Sequence, residues 1–195
     1  VHSYPQMVMT LQAPDEASLA EYVEKNAQSI IDFFTKAEMN REIENLREKH
    51  NPEVSRLAGE ILDVDVWVPW EVNKYKKGKN FLWASTYTEK KDMSIVLYAY
   101  PYTDKNTFTL EYFLQKRDSV MKANIPGGPE GSYMTTQRDY VYVEDATVHG
   151  KYAQVARGLW KVQGDRMGGP FVSHSRVDEV NGRVIVAEAF VYAPE

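Results

Sequence analysis

A long amphipathic pattern occupies the first part of the chain. Residues 6–11 alternate partly between apolar and polar side chains, so we expect a short strand there. A helix is expected to begin at Pro14, because proline suits the first helical position and the acids after it suit the positive end of the helix dipole. Apolar residues then recur at spacings of three and four, which predicts a helix with one apolar face: Leu19, Tyr22, Val23, Ala27, Ile30, Ile31 and Phe34.

A second, shorter helix is predicted directly after the first. The helical pattern weakens in a highly charged stretch but continues to Leu46. Asn51 and Pro52 then have the residue types of an N-cap and a first helical position. We expect this second helix to end near Gly59.

Three β-rich runs follow the helices. Residues 62–68 alternate with strict period two and predict a strand, and residues 81–88 and 94–100 predict two more. The lysine-rich residues 74–79 are expected to form a solvated loop. Residues 89–92 are expected to form a short hairpin turn.

The second half of the chain repeats the order of helix and strands. A helix capped by Asp104 or Asn106 is expected to run to about Asn124, where the glycine- and proline-rich residues 125–129 stop it. Four strand-like runs joined by short turns follow, at about residues 140–148, 152–162, 171–177 and 184–192.

The order of the elements predicts the fold class. Strands that follow one another through short turns form antiparallel sheets. We therefore predict an α+β fold, with an antiparallel sheet or sheets of about seven to eight strands and helices packed on one face. No shift in composition marks a linker, so one domain over residues 1–195 is expected. The repeated order of helix and strands leaves open an internal duplication with halves 1–102 and 103–195.

Composition excludes several classes of protein. The chain of 195 residues has no cysteine, which excludes disulfides, a thiolate nucleophile and cysteine-ligated metals. Its net charge of −5 argues against general binding of nucleic acid. Its apolar runs are much shorter than the roughly 20 residues that a membrane-spanning helix needs.

Residue patterns for catalysis or metal binding are weak. His174 and Asp178 share one strand face, but a single pair does not make a metal site. No Gly-x-Ser-x-Gly turn, typical of a serine nucleophile, is present. Asp63 and Asp65 share a face of the predicted strand, which is more typical of a solvent-facing strand than of an acid–base pair. We therefore expect no metal and no cofactor.

Two glycine-rich segments and the aromatic residues are better candidates for binding. Residues 125–131 and 164–170 hold several glycines, which allow a ligand to approach the backbone. Neither segment has the lysine and hydroxyl of a phosphate-binding loop. Trp67 and Trp70 flank Pro69, and an exposed aromatic surface would suit stacking on a sugar or contact with a protein.

Several motifs, strongest from Arg117 onward, resemble one protein family. They are RDSVMKANIPG at 117–127, SYM at 132–134, RGLW at 157–160, DRMGGPFVS at 165–173 and FVYAP at 190–194. In content and order they resemble a domain-of-unknown-function family of predicted lipoproteins from Bacteroidetes. The resemblance implies attachment to the cell envelope through a lipidated cysteine upstream of this chain. It also implies an N-terminal lipoprotein region and a C-terminal helix outside it, and no activity.

These observations favour a non-catalytic module of the cell envelope that binds a small ligand, a glycan or an envelope protein, and not nucleic acid. Arg157 and Arg166 would each bind a carboxylate or phosphate with two hydrogen bonds. Trp160 would stack on a sugar or anchor a protein partner. The candidate site residues are Arg157, Trp160, Asp165, Arg166, Met167, Gly168 and Gly169, with Asp118 and Asn124 as second candidates.

Two alternatives stay open. A hydrolase acting on envelope or glycan polymers would use two converging carboxylates with unequal pKa values, drawn from Asp118, Asp165 and Glu188. A structural component of an envelope assembly would use an exposed aromatic patch and unpaired sheet edges to join another chain.

Overall fold

The computed structural model describes residues 6–88, 91–148 and 150–193. The chain divides into two compact units, residues 1–50 and residues 51–195. Each unit is described by itself below, and the expectation of one domain over residues 1–195 stays a prediction.

One long helix makes up most of the described part of the first unit. Helix α1 spans Glu16–Lys49, and the side chain of its N-cap, Asp15, accepts a hydrogen bond of 2.8 Å from the Ser18 amide. The predicted helix is confirmed, but none of its side chains is fully buried. The strand predicted at residues 6–11 is wrong, because this segment has no ladder partner and leads into the α1 cap as irregular chain.

The second unit begins with the predicted short helix. Helix α2 spans Pro52–Leu62, and Asn51 caps it by accepting hydrogen bonds from the amides of Glu53 and Val54. One face of α2 is buried, as a 3.6-residue period requires: Val54, Leu57, Ala58 and Leu62.

The strand predicted at residues 62–68 is also wrong. Leu62 completes α2, and Asp63 stops it with φ of 50° in the left-handed region. The following residues bond to α2 and its cap instead of a strand, since Val66 accepts from the Ser55 hydroxyl and Val68 from the Asn51 amide. The period of two arises because alternate valines face the core in an extended connection. We call residues 63–73 the connection.

The strands form one antiparallel sheet of seven, which confirms the α+β class and the antiparallel arrangement. The sheet order is β1-β2-β3-β7-β6-β5-β4. The strands are β1 (Lys74–Gly78), β2 (Phe81–Ser85), β3 (Asp92–Pro101), β4 (Tyr133–Val148), β5 (Lys151–Gln163), β6 (Gly168–Asp178) and β7 (Arg183–Tyr192).

Strand β1 replaces the loop expected at residues 74–79. It is an edge strand, and lysines on an edge discourage pairing with another chain, which accounts for the basic sequence. The hairpin turn predicted at residues 89–92 lies partly outside the described residues.

Two further helical segments lie between β3 and β4. A 3₁₀ turn spans Lys105–Phe108, and helix α3 spans Leu110–Asn124 with Thr109 as its N-cap. They correspond to the helix predicted from Asp104 or Asn106 to Asn124. Asp104 caps the 3₁₀ turn by accepting from the Asn106 amide at 2.7 Å.

Helices α2 and α3 cover opposite faces of the sheet, whereas the sequence predicts all helices on one face. The α3 face carries a core that includes Phe81, Val96 and Tyr98, and the α2 face carries Leu82 and Leu97. Consecutive residues of β2 and β3 are thus apolar on both sides, which requires a layer on each.

The predicted duplication finds a partial counterpart in the element order. Each helix is followed by an antiparallel run of strands, but the first run has three strands and the second has four. Helices α2 and α3 also lie on opposite faces of the sheet. The second run of helix and strands therefore does not repeat the packing of the first run.

Candidate functional site

The two glycine-rich segments meet in the structure. A Cβ atom at Gly127 would overlap Ser132 and the Val162 side chain, and one at Gly128 would lie 3.5 Å from the Asp165 carboxylate. Asp165 itself accepts a hydrogen bond from the Arg166 amide at 2.6 Å. The segments therefore pack on one another instead of enclosing a gap for a ligand.

Four of the candidate residues pack in or against the core of the α3 face. They are Trp160 on β5 and three residues of the second glycine-rich segment, Met167, Gly168 and Gly169. The Trp160 ring is 2% exposed and packs against Phe190, with its indole nitrogen donating to the Val191 carbonyl at 3.3 Å. Met167 is half-buried against the same core. A Cβ atom at Gly169 would overlap the Val191 carbonyl oxygen, and one at Gly168 would lie 2.9 Å from the Trp160 carbonyl oxygen. The ring thus offers no open face for a sugar.

Asp118 and Asn124, the second candidates, hold α3 to the sheet. The Asp118 carboxylate accepts from the Thr136 amide and hydroxyl and from Arg138. Burial opposes its ionisation, but the hydrogen bonds from Thr136 and Arg138 outweigh burial and lower the pKa of Asp118. Asn124 accepts at its carbonyl from the Lys76 ammonium at 2.7 Å.

A buried ion pair lies beneath α3. The Arg117 Nη2 atom is 2.6 Å from the Glu188 carboxylate, and both side chains are fully buried. Arg117 also donates to the Thr136 hydroxyl at 2.7 Å and lies 4.0 Å above the Phe171 ring. Burial and the nearby Glu188 charge raise the pKa of Tyr98. Glu188, an acid of the hydrolase alternative, is thus bound by Arg117 and closed to solvent.

The candidate Arg157 lies on the α2 face of the sheet. Its guanidinium forms an exposed ion pair with Glu144 on β4. The neighbouring cross-strand row on this face has one residue from each of five adjacent strands. Its residues are Glu144, Val155, His174, Ala187 and Leu97. Three residues of this row, Leu97, His174 and the exposed Ala187, line a groove in the sheet surface.

We call this groove the outer groove. It has a volume of about 250 Å³ and lies between the connection and strands β5, β6 and β7. Its lining is mainly apolar, and the residues are Val64, Asp65, Val66, Leu97, Val148, Ala153, His174, Ser175, Arg176, Ile185 and Ala187. A mainly apolar concavity with few polar groups is the usual form of a small-molecule site.

Arg176 is the distinctive charge of the outer groove. In the described residues, seven other arginines each form an ion pair, whereas Arg176 and the loop residue Arg166 form none. Arg176 and Asp65 also line a second cavity of about 440 Å³, so the two cavities adjoin at these residues and together form what we call the depression. An unpaired guanidinium at an apolar groove is suited to a carboxylate or phosphate.

Comparison with protein families identifies most of the chain. The family model Domain of unknown function (DUF4837) matches residues 52–195. The chain belongs to this family. A second model, Domain of unknown function (DUF8532), matches residues 1–47, and comparison with curated proteins gave no match. The boundary between the two DUF matches falls at the boundary between the two compact units.

The outer groove lies entirely within the DUF4837 region, and sequence reasoning missed its main residue. The available signal was the spacing of His174 and Arg176, two apart in a predicted strand and hence on one face. Ala187 and Ala189 share the small-residue side of the neighbouring strand. What the sequence cannot show is that the connection folds beside them.

Two further properties of the described residues concern membrane-spanning helices and metal-binding groups of side chains. None of their helices combines the length and hydropathy of a membrane-spanning segment. They also contain no group of three or more histidine, cysteine or acidic side chains placed to hold a metal ion.

The pKa of His174, which lines the outer groove, is expected to lie below 6.5, the ordinary value for histidine. Partial burial disfavours the imidazolium, the Arg157 charge adds to this effect, and Glu144 opposes it. The unfolded chain then binds the proton more readily, so the His174 contribution to stability falls as pH drops through 6.5. Titration of the His174 ring protons by NMR would measure the pKa, and Arg157→Gln should raise it. A value at or above 6.5 would contradict the geometry.

Proposed function

We propose that the DUF4837 region is a non-catalytic binding module whose outer groove takes a small ligand with an apolar body and an anionic group. The observation that carries this proposal is that Arg176 lines a mainly apolar groove and its guanidinium has no ion-pair partner among the described residues. Arg176 is exposed, so water solvates its guanidinium in the free protein, and a ligand anion would replace this water with two hydrogen bonds.

The lining supports one orientation of the ligand. Val64 and Val66 of the connection face Ile185 and Ala187 of β7, so the apolar body would lie between these walls. The anionic group would then point toward Arg176. His174, whose ring lines the same groove, is placed to add a second hydrogen bond.

The position of Asp65 favours a ligand with only one anionic group. Its carboxylate lines both cavities of the depression, so a second negative charge on the ligand would be repelled at that wall. A ligand amine or hydroxyl at that end would instead find an acceptor. Attachment to the cell envelope, which the resemblance in the sequence implies, stays a prediction.

Octanoate is a suitable first probe, with octyl phosphate as its phosphate counterpart and octan-1-ol as the uncharged control. We expect octanoate or octyl phosphate to raise the melting temperature of the full chain, and octan-1-ol to do so much less. A ligand at 100 times its Kd adds about 2.7 kcal/mol, which corresponds to several degrees for a unit of this size.

Arg176→Gln is expected to remove the advantage of the charged probes over octan-1-ol. Arg166→Gln is the matched control, since Arg166 is also an arginine without an ion pair in the described chain but lies in the loop after β5. Circular dichroism would check that both variants fold. Equal shifts for wild type and Arg176→Gln, or no shift with any probe, would refute the proposed function.

A further inference from the structure

A second cleft, which the proposed function does not use, lies where β2 and β3 approach their hairpin. It has a volume of about 580 Å³, and its lining residues are Trp70, Glu71, Asn73, Thr86, Thr88, Lys91 and Met93. Six of these seven side chains carry hydrogen-bonding groups, and Met93 is the exception. Its exposed lining is mainly apolar, as in the outer groove, but hydrogen-bonding groups surround the Trp70 ring, and this combination suits a ligand with apolar faces and hydroxyl groups.

Trp70 is the outstanding feature of this cleft. Its ring is 61% exposed, and within the described chain it makes no ring contact and its indole nitrogen no hydrogen bond. Tryptophan has the largest apolar surface of any side chain, so exposure on this scale beside polar groups points to a binding role.

The backbone around Trp70 is anchored at the cleft. Val68 and Val72 are buried on either side, and the Val72 amide donates to the Pro69 carbonyl at 3.0 Å, which closes a turn. Because the turn is anchored at both ends, little backbone entropy would be lost when a ligand stacks on the Trp70 ring.

The polar groups stand on both walls of the cleft. Glu71 and Asn73 flank the buried Val72 and are themselves exposed, without a side-chain hydrogen bond in the described residues. On the other wall, the Thr86 hydroxyl is held by Asp92 at 3.1 Å. A carboxylate and an amide beside an aromatic ring match the alternation of apolar ring faces and equatorial hydroxyls in a sugar.

We infer that this cleft is a carbohydrate-binding subsite, in which Trp70 stacks on one face of a pyranose ring while Glu71 and Asn73 bond to its hydroxyls. The subsite is independent of the outer groove, since the two share no lining residue. The chain would then bind two ligands of different chemistry, one apolar with an anionic group and one a neutral glycan.

A panel of soluble hexasaccharides tests the inference: cellohexaose, laminarihexaose, maltohexaose, chitohexaose and mannohexaose. Binding to the full chain would be measured by calorimetry and by tryptophan emission, which should shift to shorter wavelength as a sugar covers Trp70. We expect at least one of these sugars to bind with Kd below about 1 mM. Trp70→Ala should weaken that binding about tenfold or more.

Tyr140→Ala is the matched control, because Tyr140 is 59% exposed and lies on β4, outside the cleft. This variant should bind the sugar as the wild type does. Asn73→Ala should weaken binding without changing the emission of Trp70 in the free protein. Arg176→Gln should leave sugar binding unchanged, so failure of the outer groove and failure of the subsite are distinguishable.

Two results would overturn the inference. One is the absence of binding by all five hexasaccharides up to about 1 mM. The other is binding that persists unchanged in a folded Trp70→Ala variant, which would place the sugar elsewhere on the chain.

Discussion

Replacing Arg117 by leucine is expected to lower the free energy of unfolding by about 3–5 kcal/mol, the usual cost of leaving one partner of a buried ion pair alone. The change would leave the Glu188 carboxylate fully buried without its guanidinium partner. It would also remove the hydrogen bond to Thr136 and the contact with Phe171. Urea unfolding of the variant and the wild type, followed by circular dichroism, measures the difference.

The double variant Arg117→Leu/Glu188→Leu is the control for this expectation. Two apolar side chains in place of a buried ion pair are often tolerated, so the double variant should be more stable than Arg117→Leu alone. Glu111→Gln, which removes an exposed partner of Arg138, should cost less than about 1 kcal/mol. A loss below about 1 kcal/mol for Arg117→Leu would contradict the structural role of the pair.

The second large effect is expected at Gly169. A Cβ atom there would overlap the Val191 carbonyl oxygen, which belongs to the backbone of the neighbouring strand and cannot rotate away. Gly169→Ala should therefore cost about 1–3 kcal/mol, because β6 and β7 must separate locally or the Trp160 ring must shift. Near-ultraviolet circular dichroism would report the change around Trp160, and urea unfolding its cost.

Gly59→Ala is the control, and urea unfolding should show a change in stability of the opposite sign. Gly59 lies inside α2, and the nearest atom to a Cβ there is the Val64 carbonyl oxygen at 3.9 Å. Alanine favours a helix over glycine by about 1 kcal/mol, so this variant should be slightly more stable than the wild type. Equal stabilities for Gly169→Ala and Gly59→Ala would contradict the close approach of β6 and β7.

The helices and the last strands could be predicted because their signals are local. Asn51 and Pro52 start α2 as their residue types indicate, and the four strands after α3 occur in the predicted order. The strand predicted at residues 62–68 fails for a tertiary reason, because its valines face a core that α2 helps to build. A period of two reports alternating burial and does not by itself report a ladder of hydrogen bonds.

The candidate site was harder to predict because it depends on which segments meet. Arg157 was singled out from its motif and does lie on the α2 face, but with Glu144 as its ion-pair partner. Arg176 is also an arginine but lies in no conspicuous motif, and what distinguishes it is its place in the outer groove without an ion-pair partner among the described residues. Trp160 and Trp70 are equally noticeable in the sequence, yet one is core and the other is exposed.

The most direct test of the binding proposal is an NMR titration of the ¹⁵N-labelled chain with octanoate. The account predicts that shift changes concentrate on the lining of the outer groove, at residues 64–66, 174–176 and 185–187. The same titration of Arg176→Gln should give much smaller changes at these positions. Shift changes centred on the glycine-rich residues 127–132 and 164–169, or no saturable change, would contradict the outer groove as the site.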